Sequence, residues 1–209
     1  MPEAVDQFEQ ALQLNPDYLS ARTNLGIALV KTGQPEAAVN QFEQVLRVAP
    51  DDAEAHFNLA NALGQVGRHS EAVTHYQAAL RLKPDFDEAY DNFGITLAEA
   101  GQLPEAVSQF EQAIKLRPDY TDARANLGVA LVKTGRTEDG VRQLEQVVQA
   151  TPDDATAHYN LAGALVRVNA LPEAVSHYRA ALRLRPDFTL ARENLNQVLE
   201  LQPSLRRSD

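Results

Sequence analysis

The chain has no cysteine and no tryptophan among its 209 residues, and a single methionine. The absence of cysteine excludes disulfides, thiolate catalysis and cysteine metal ligands. No run of about 18 apolar residues occurs, so the sequence offers no transmembrane helix. Positive charge is also scarce: the formal net charge is -10 and the isoelectric point is near 5.0. That balance argues against a nucleic-acid backbone as main partner, which favours a basic stripe, and against docking on an anionic membrane surface. The start, Met1-Pro2-Glu3-Ala4-Val5-Asp6, lacks the basic residues and apolar stretch of a signal peptide, which makes a cytoplasmic location the expectation. There is no glycine-rich phosphate loop, no Gly-x-Ser-x-Gly elbow and no separated Ser-His-Asp set. No enzyme activity and no cofactor are therefore expected.

What the chain has is one stretch that keeps returning. Ala21-Arg22-Thr23-Asn24-Leu25-Gly26 comes back as Ala55-His56-Phe57-Asn58-Leu59-Ala60, and then as Ala89-Tyr90-Asp91-Asn92-Phe93-Gly94. Three more copies start at Ala123, Ala157 and Ala191, always 34 residues on. A fixed period in this range is the signature of a stacked repeat architecture, which grows by local contacts and not around one closed core. The Ala and the Asn of the stretch never vary.

Prolines at 16, 50, 84, 118, 152 and 186 are each followed by Asp. Proline keeps the residue before it out of the helix, and the Asp is expected to cap the next helix. Midway lie Gly33, Gly67, Gly101 and Gly135, with Asn169 at the same phase, as left-handed helix stops. Pro35, Pro104 and Pro172 then stand near a helix start, where the missing donor costs nothing. Each repeat reads as helix, tight turn, helix, Pro-Asp turn. Counting from the third residue after that proline, repeats run 19–52, 53–86, 87–120, 121–154 and 155–188, between a half repeat at 2–18 and a capping helix at 189–201. Residues 202–209 are expected to be a disordered tail. In the first repeat, Ala21, Leu25, Ala28, Leu29 and Thr32 form one stripe, and Ala38, Val39, Phe42, Val45 and Leu46 another. Position 8 is Gly or Ala in all five full repeats, so a neighbouring helix is expected to approach closely there.

This pattern resembles the tetratricopeptide repeat family. The residues that carry the resemblance are Leu59, Ala60, Leu63, Ala72, Tyr76, Ala79 and Pro84, recurring in phase over roughly residues 2–201. The resemblance implies an all-α, right-handed superhelical solenoid of twelve antiparallel helices. It departs from the family at position 4, where the usual Trp is Arg22, His56, Tyr90, Arg124 or His158. Gly140 and Leu144 also replace the usual Ala and aromatic, so the fourth repeat is expected to be the loosest. Runs such as Glu71-Ala72-Val73-Thr74-His75-Tyr76 look like the repeat arrays of O-linked N-acetylglucosamine transferases. A substrate-recruiting arm of such a glycosyltransferase is therefore one rival reading. The N-terminal half repeat lacks its partner helix, so helix 2–14, with Phe8, suggests a second: a self-assembling scaffold joined end to end as a homo-oligomer.

A second period of 102 residues joins three-repeat cassettes, as in Asn24 to Gly33 against Asn126 to Gly135. Duplication accounts for the paired histidines 56/158 and 75/177. With His69 they show no zinc-like spacing, and no metal site is expected. The invariant asparagines remain. Asn24, Asn58, Asn92, Asn126, Asn160 and Asn194 all fall at position 6, on the face opposite the packing stripe. The resemblance implies that first helices line the concave side, which would make these a ladder. Each amide offers an acceptor and two donors, matching a peptide unit. Stacked helices at roughly 8–10 Å are spanned by about three extended residues. The chain is therefore expected to bind an extended peptide or flexible protein segment, as an interaction scaffold. Around the ladder, Phe57, Asn61, Asp91, Tyr159, Lys31, Glu99, Lys133 and Arg167 are expected to set side-chain preference.

Overall fold

The computed structural model describes residues 2–207. Among them are twelve α-helices, no strand, and one short 3-10 turn. In chain order the helices are α1 (Pro2–Leu14), α2 (Leu19–Lys31), α3 (Pro35–Val48), α4 (Ala53–Gln65), α5 (His69–Leu82) and α6 (Asp87–Glu99). Then come α7 (Leu103–Leu116), α8 (Thr121–Lys133), α9 (Thr137–Ala150), α10 (Ala155–Arg167), α11 (Leu171–Leu184) and α12 (Thr189–Leu201). The chain forms two compact lobes, Met1–Gln102 and Leu103–Asp209.

The turns explain the helix lengths. Gly33, Gly67, Gly101 and Gly135 have φ between 77° and 87°, and Asn169 stands at 60°. At the first of them the Gln34 N–H donates to Leu29 O at 2.9 Å and the Gly33 N–H to Val30 O at 3.1 Å. This is the Schellman pair, and it satisfies carbonyls the helix end leaves free. The same two bonds recur at Gly67, Gly101, Gly135 and Asn169. Helix starts differ from the expectation. The Asp beside each proline is not the cap. The residue after it is, and only Asp52 and Asp154 cap with their side chains, Asp52 accepting from the Glu54 and Ala55 N–H groups at 3.0 and 3.1 Å. Elsewhere that place holds Tyr18, Phe86, Tyr120 or Phe188, with no capping bond. Two of these rings act as plugs instead: Phe86 packs on Phe57 at 4.6 Å between ring centroids, and Phe188 on Tyr159 at 4.8 Å.

The apolar stripes face each other as their spacing requires. Ala21, Leu25, Ala28 and Leu29 are buried on α2, and Ala38, Val39, Phe42 and Val45 on α3. A Cβ on Gly26 would lie 2.6 Å from the Phe42 ring, so position 8 is small because its own second helix sits on it. The fourth repeat is not the loosest. Gly128 and Gly140 bring α8 and α9 together so closely that a Cβ on Gly140 would lie 2.7 Å from Gly128 O and 2.6 Å from Val132 Cγ2, and Leu144 is fully buried.

Position 4, the family's Trp, is a polar tie in the first, second, fourth and fifth repeats. Arg22 Nη2 donates to Pro16 O at 2.6 Å and Nη1 to Gln41 Oε1 at 3.0 Å. Arg124 repeats this with Pro118 and Gln143. In the second and fifth repeats both members are histidines. Nδ1 of His56 faces Nδ1 of His75 at 2.9 Å, and His56 Nε2 sits 3.0 Å from Pro50 O; His158, His177 and Pro152 copy the arrangement. Beyond α12, the expectation of a disordered tail fails for residues 203–207. Pro203–Arg207 form the 3-10 turn, and Leu205, 8% exposed, closes the last hydrophobic cluster with Val175, Tyr178 and Val198. Ser208 and Asp209 lie outside the described residues.

Candidate peptide-binding grooves

First helices touch first helices: α2 meets α4 and α4 meets α6 in one lobe, α8 meets α10 and α10 meets α12 in the other. Second helices stand further apart, so the first-helix side is the inner side of each lobe. The faces of these helices left free of the packing stripe carry the invariant asparagines.

In the N-terminal lobe a cleft of about 530 Å³ opens between α4 and α6, reached also by Val30 and His69. Its floor is a polar network. The Tyr76 hydroxyl donates to Asn61 Oδ1 at 2.6 Å, and Asn92 Nδ2 donates to the same oxygen at 3.0 Å. Burial pushes the Tyr76 phenol far above its ordinary range, so it stays a neutral donor. Thr96 and Glu99 complete the wall. One nitrogen here, Nδ1 of His69, is buried without a hydrogen-bond partner.

In the C-terminal lobe two clefts adjoin, sharing Gly163 and Arg167. One, of about 250 Å³, is lined by Lys133, Tyr159 and Asn160 among others. The second, of about 400 Å³, is lined by Tyr178, Asn194 and Gln197. The join exists because position 9, Asn61 in the other lobe, is here Gly163. A Cβ there would meet only the Tyr178 hydroxyl, at 3.8 Å. Asn194 Nδ2 donates to the Tyr159 hydroxyl at 3.3 Å.

The six asparagines are thus not equal rungs. Asn92 and Asn194 are tied to the first helix before them. Asn24, Asn58 and Asn160 make no side-chain hydrogen bond among the described residues, and Asn160 lines a cleft. Asn126 is half-buried on α8 and has a partner. The flanking residues divide in the same way. Asn61 and Glu99 line the N-terminal cleft, and Lys133, Tyr159 and Arg167 line the C-terminal ones. Lys31 is exposed on α2, apart from them. Phe57 is occupied by Phe86 and Tyr76, and Asp91 is buried, 4% exposed. Position 5 therefore faces the next Pro-Asp turn as much as the groove, which the helical wheel does not reveal. Sequence reasoning missed Tyr76 and Tyr178, whose hydroxyls reach the inner side from second helices; the signal was a Tyr where the other repeats have Phe42, Phe110 and Leu144.

No helix is long and apolar enough to cross a membrane, and no group of three or more metal-ligating side chains clusters among the described residues.

Comparison with known proteins agrees with this geometry. Models described as tetratricopeptide repeat match residues 23–85, 97–165 and 157–192, and one described as TPR repeat matches 1–33. Among solved structures, the chain is similar to YrrB, described as a TPR protein with an unusual peptide-binding site, at 22% identity and a TM-score of 0.74, over 90% of this chain and 96% of that one. It is similar to MamA from Desulfovibrio magneticus RS-1 at 23% identity and a TM-score of 0.76, over 83% and 98%. It also matches the APC/C Cut9–Hcn1 hetero-tetramer at 18% identity and a TM-score of 0.80, over 95% of this chain but 39% of that one. At such identities the likeness is one of fold. No curated protein matches the chain. The likeness to glycosyltransferase arrays rests on the residues quoted for it alone.

Proposed function

This chain belongs to the tetratricopeptide repeat family, and from that premise we propose that it is a non-catalytic interaction scaffold that holds an extended peptide or flexible protein segment on its first-helix faces. The observation that carries the reading is Asn160. An amide with acceptor and donors free stands in a cleft, at a position where every repeat has the same residue. Asn160 is half-buried and its polar atoms are open to water, so a ligand can take them up without breaking a bond within the protein. A peptide backbone presents the complementary N–H and C=O in any sequence. The peptide-binding site named for YrrB is consistent with this use of the fold. The tied residues, Asn92 and Asn194, are read as holding neighbouring first helices in register beneath the ligand.

The test is binding to an array of peptides of varied sequence, comparing wild type with an Asn24→Ala/Asn58→Ala/Asn160→Ala variant. These three amides lack protein partners among the described residues and alanine is the better helix former, so their loss is expected to leave helicity and melting no lower. Loss of most peptide binding is expected. Undiminished binding by the folded variant would contradict the role of the asparagines, and absence of binding by wild type would remove the reading.

A further inference from the structure

We infer that the C-terminal lobe selects acidic segments, with Lys133 and Arg167 gripping carboxylates of a ligand whose backbone lies along Asn160. The inference rests on the peptide-binding reading and adds the chemistry of the ligand. In a chain of net charge -10, neither of the joined clefts of this lobe is lined by a carboxylate. Helix α10, which runs through both, has no Asp or Glu along its whole length. Helix α8 has one, Asp122, in its first turn, at the opposite end from Lys133. Lys133 and Arg167 are exposed and engaged in no ion pair or hydrogen bond among the described residues. Arg124 and Arg192, by contrast, are committed to the carbonyls of Pro118 and Pro186.

Both free cations stand in the last turn of a helix, where the dipole alone favours positive charge. The dipole does not account for the whole choice, because the same position in the N-terminal lobe holds Lys31, Gln65 and Glu99, and of these only Gln65 and Glu99 line that lobe's cleft. That lobe's cleft is neutral to acidic where this one is basic. The chemistry suits a carboxylate. The Arg167 guanidinium forms a two-pronged bond to it and Lys133 adds a mobile point charge. Gly163 supplies the room: the gap left by its missing side chain joins the two clefts beside Arg167, so a ligand side chain enters where Asn61 stands in the other lobe.

The probe is a set of extended, fluorescently labelled peptides identical except for Glu, Gln or Lys at alternate positions, measured by anisotropy at low and high salt. The Glu series is expected to bind about three- to tenfold more tightly than the Gln series at low salt, the scale of two exposed charge pairs, with the Lys series weakest. High salt should erase the difference. Lys133→Glu/Arg167→Glu should reverse the order of the Glu and Lys series. Gly163→Leu, whose Cβ meets no backbone atom, should weaken all three. Equal binding of the Glu and Gln series, or a preference that survives the double substitution, overturns the inference and leaves peptide binding standing. If no series binds, both fall.

Discussion

At the scale of the residue, small changes decide whether two helices can meet. Gly140 is the sharpest case. Alanine there gains helix propensity, about 1 kcal/mol, but drives a methyl group into Gly128 O and Val132. Overpacking of this kind costs about 1–3 kcal/mol, and the atom in the way is backbone, which yields little. Gly140→Ala is therefore expected to lower the denaturant midpoint, which urea unfolding followed by circular dichroism measures; an unchanged or higher midpoint would contradict the packing described for α8 and α9. The histidine pairs give a second test. The Pro50 carbonyl can only accept, so His56 donates from Nε2, and a single proton is shared between the facing Nδ1 atoms. Burial, then the neighbouring ring, pushes His75 and His177 below their ordinary value, with Glu43 and Glu71 opposing and Arg68 adding to the shift at His75. A histidine whose folded pKa is depressed binds protons more readily when unfolded. Its contribution to stability is present above the ordinary value of 6.5 and is lost as pH falls below it toward the folded value. Melting temperature should therefore drop between neutral and mildly acidic pH. It should drop less after His56→Arg/His75→Gln/His158→Arg/His177→Gln, which installs the Arg–Gln tie of the first and fourth repeats. Equal pH dependence in both proteins would remove this account.

At the scale of the element, most of the fold could be read directly from spacing. Helix ends were marked by Gly33, Gly67, Gly101, Gly135 and Asn169, because the left-handed backbone they adopt is a property of single residues. Helix starts were read less well. The Asp beside each proline suggested a cap, yet the capping residue is one further on, and a one-residue shift decides between a carboxylate cap and an aromatic plug. Asp52→Ala and Asp154→Ala should each cost about 1 kcal/mol, whereas alanine at Asp51 or Asp153, beside them in the same turns, should cost little. Thermal melts of the four variants check the distinction, and equal losses would contradict it. The groove was legible in part for the same reason. Position 6 asparagines are visible as a column in the sequence. That Asn92 bonds to Asn61, and that Phe57 is taken up by Phe86, depends on how far one helix lies from the next, which no spacing within a repeat encodes.

At the scale of the whole molecule, the repeat puts three copies of one amide on the first helices of each lobe, while its variations make the two sets unequal. The 102-residue period carries the histidine pairs and the Tyr76/Tyr178 hydroxyls into both lobes, but sets Gly163 at the repeat position of Asn61 and Leu201 at that of Glu99. On the proposed function, the lobes share a way of holding backbone and differ in the side chains they admit. The measurement that tests the central claim most directly is the peptide array with wild type and the Asn24→Ala/Asn58→Ala/Asn160→Ala variant, after matched circular dichroism and melting. The expected result is binding of peptides of varied sequence by wild type and loss of most of it in a variant that folds as well. A variant that binds as wild type does, or a wild type that binds no peptide, would contradict the account.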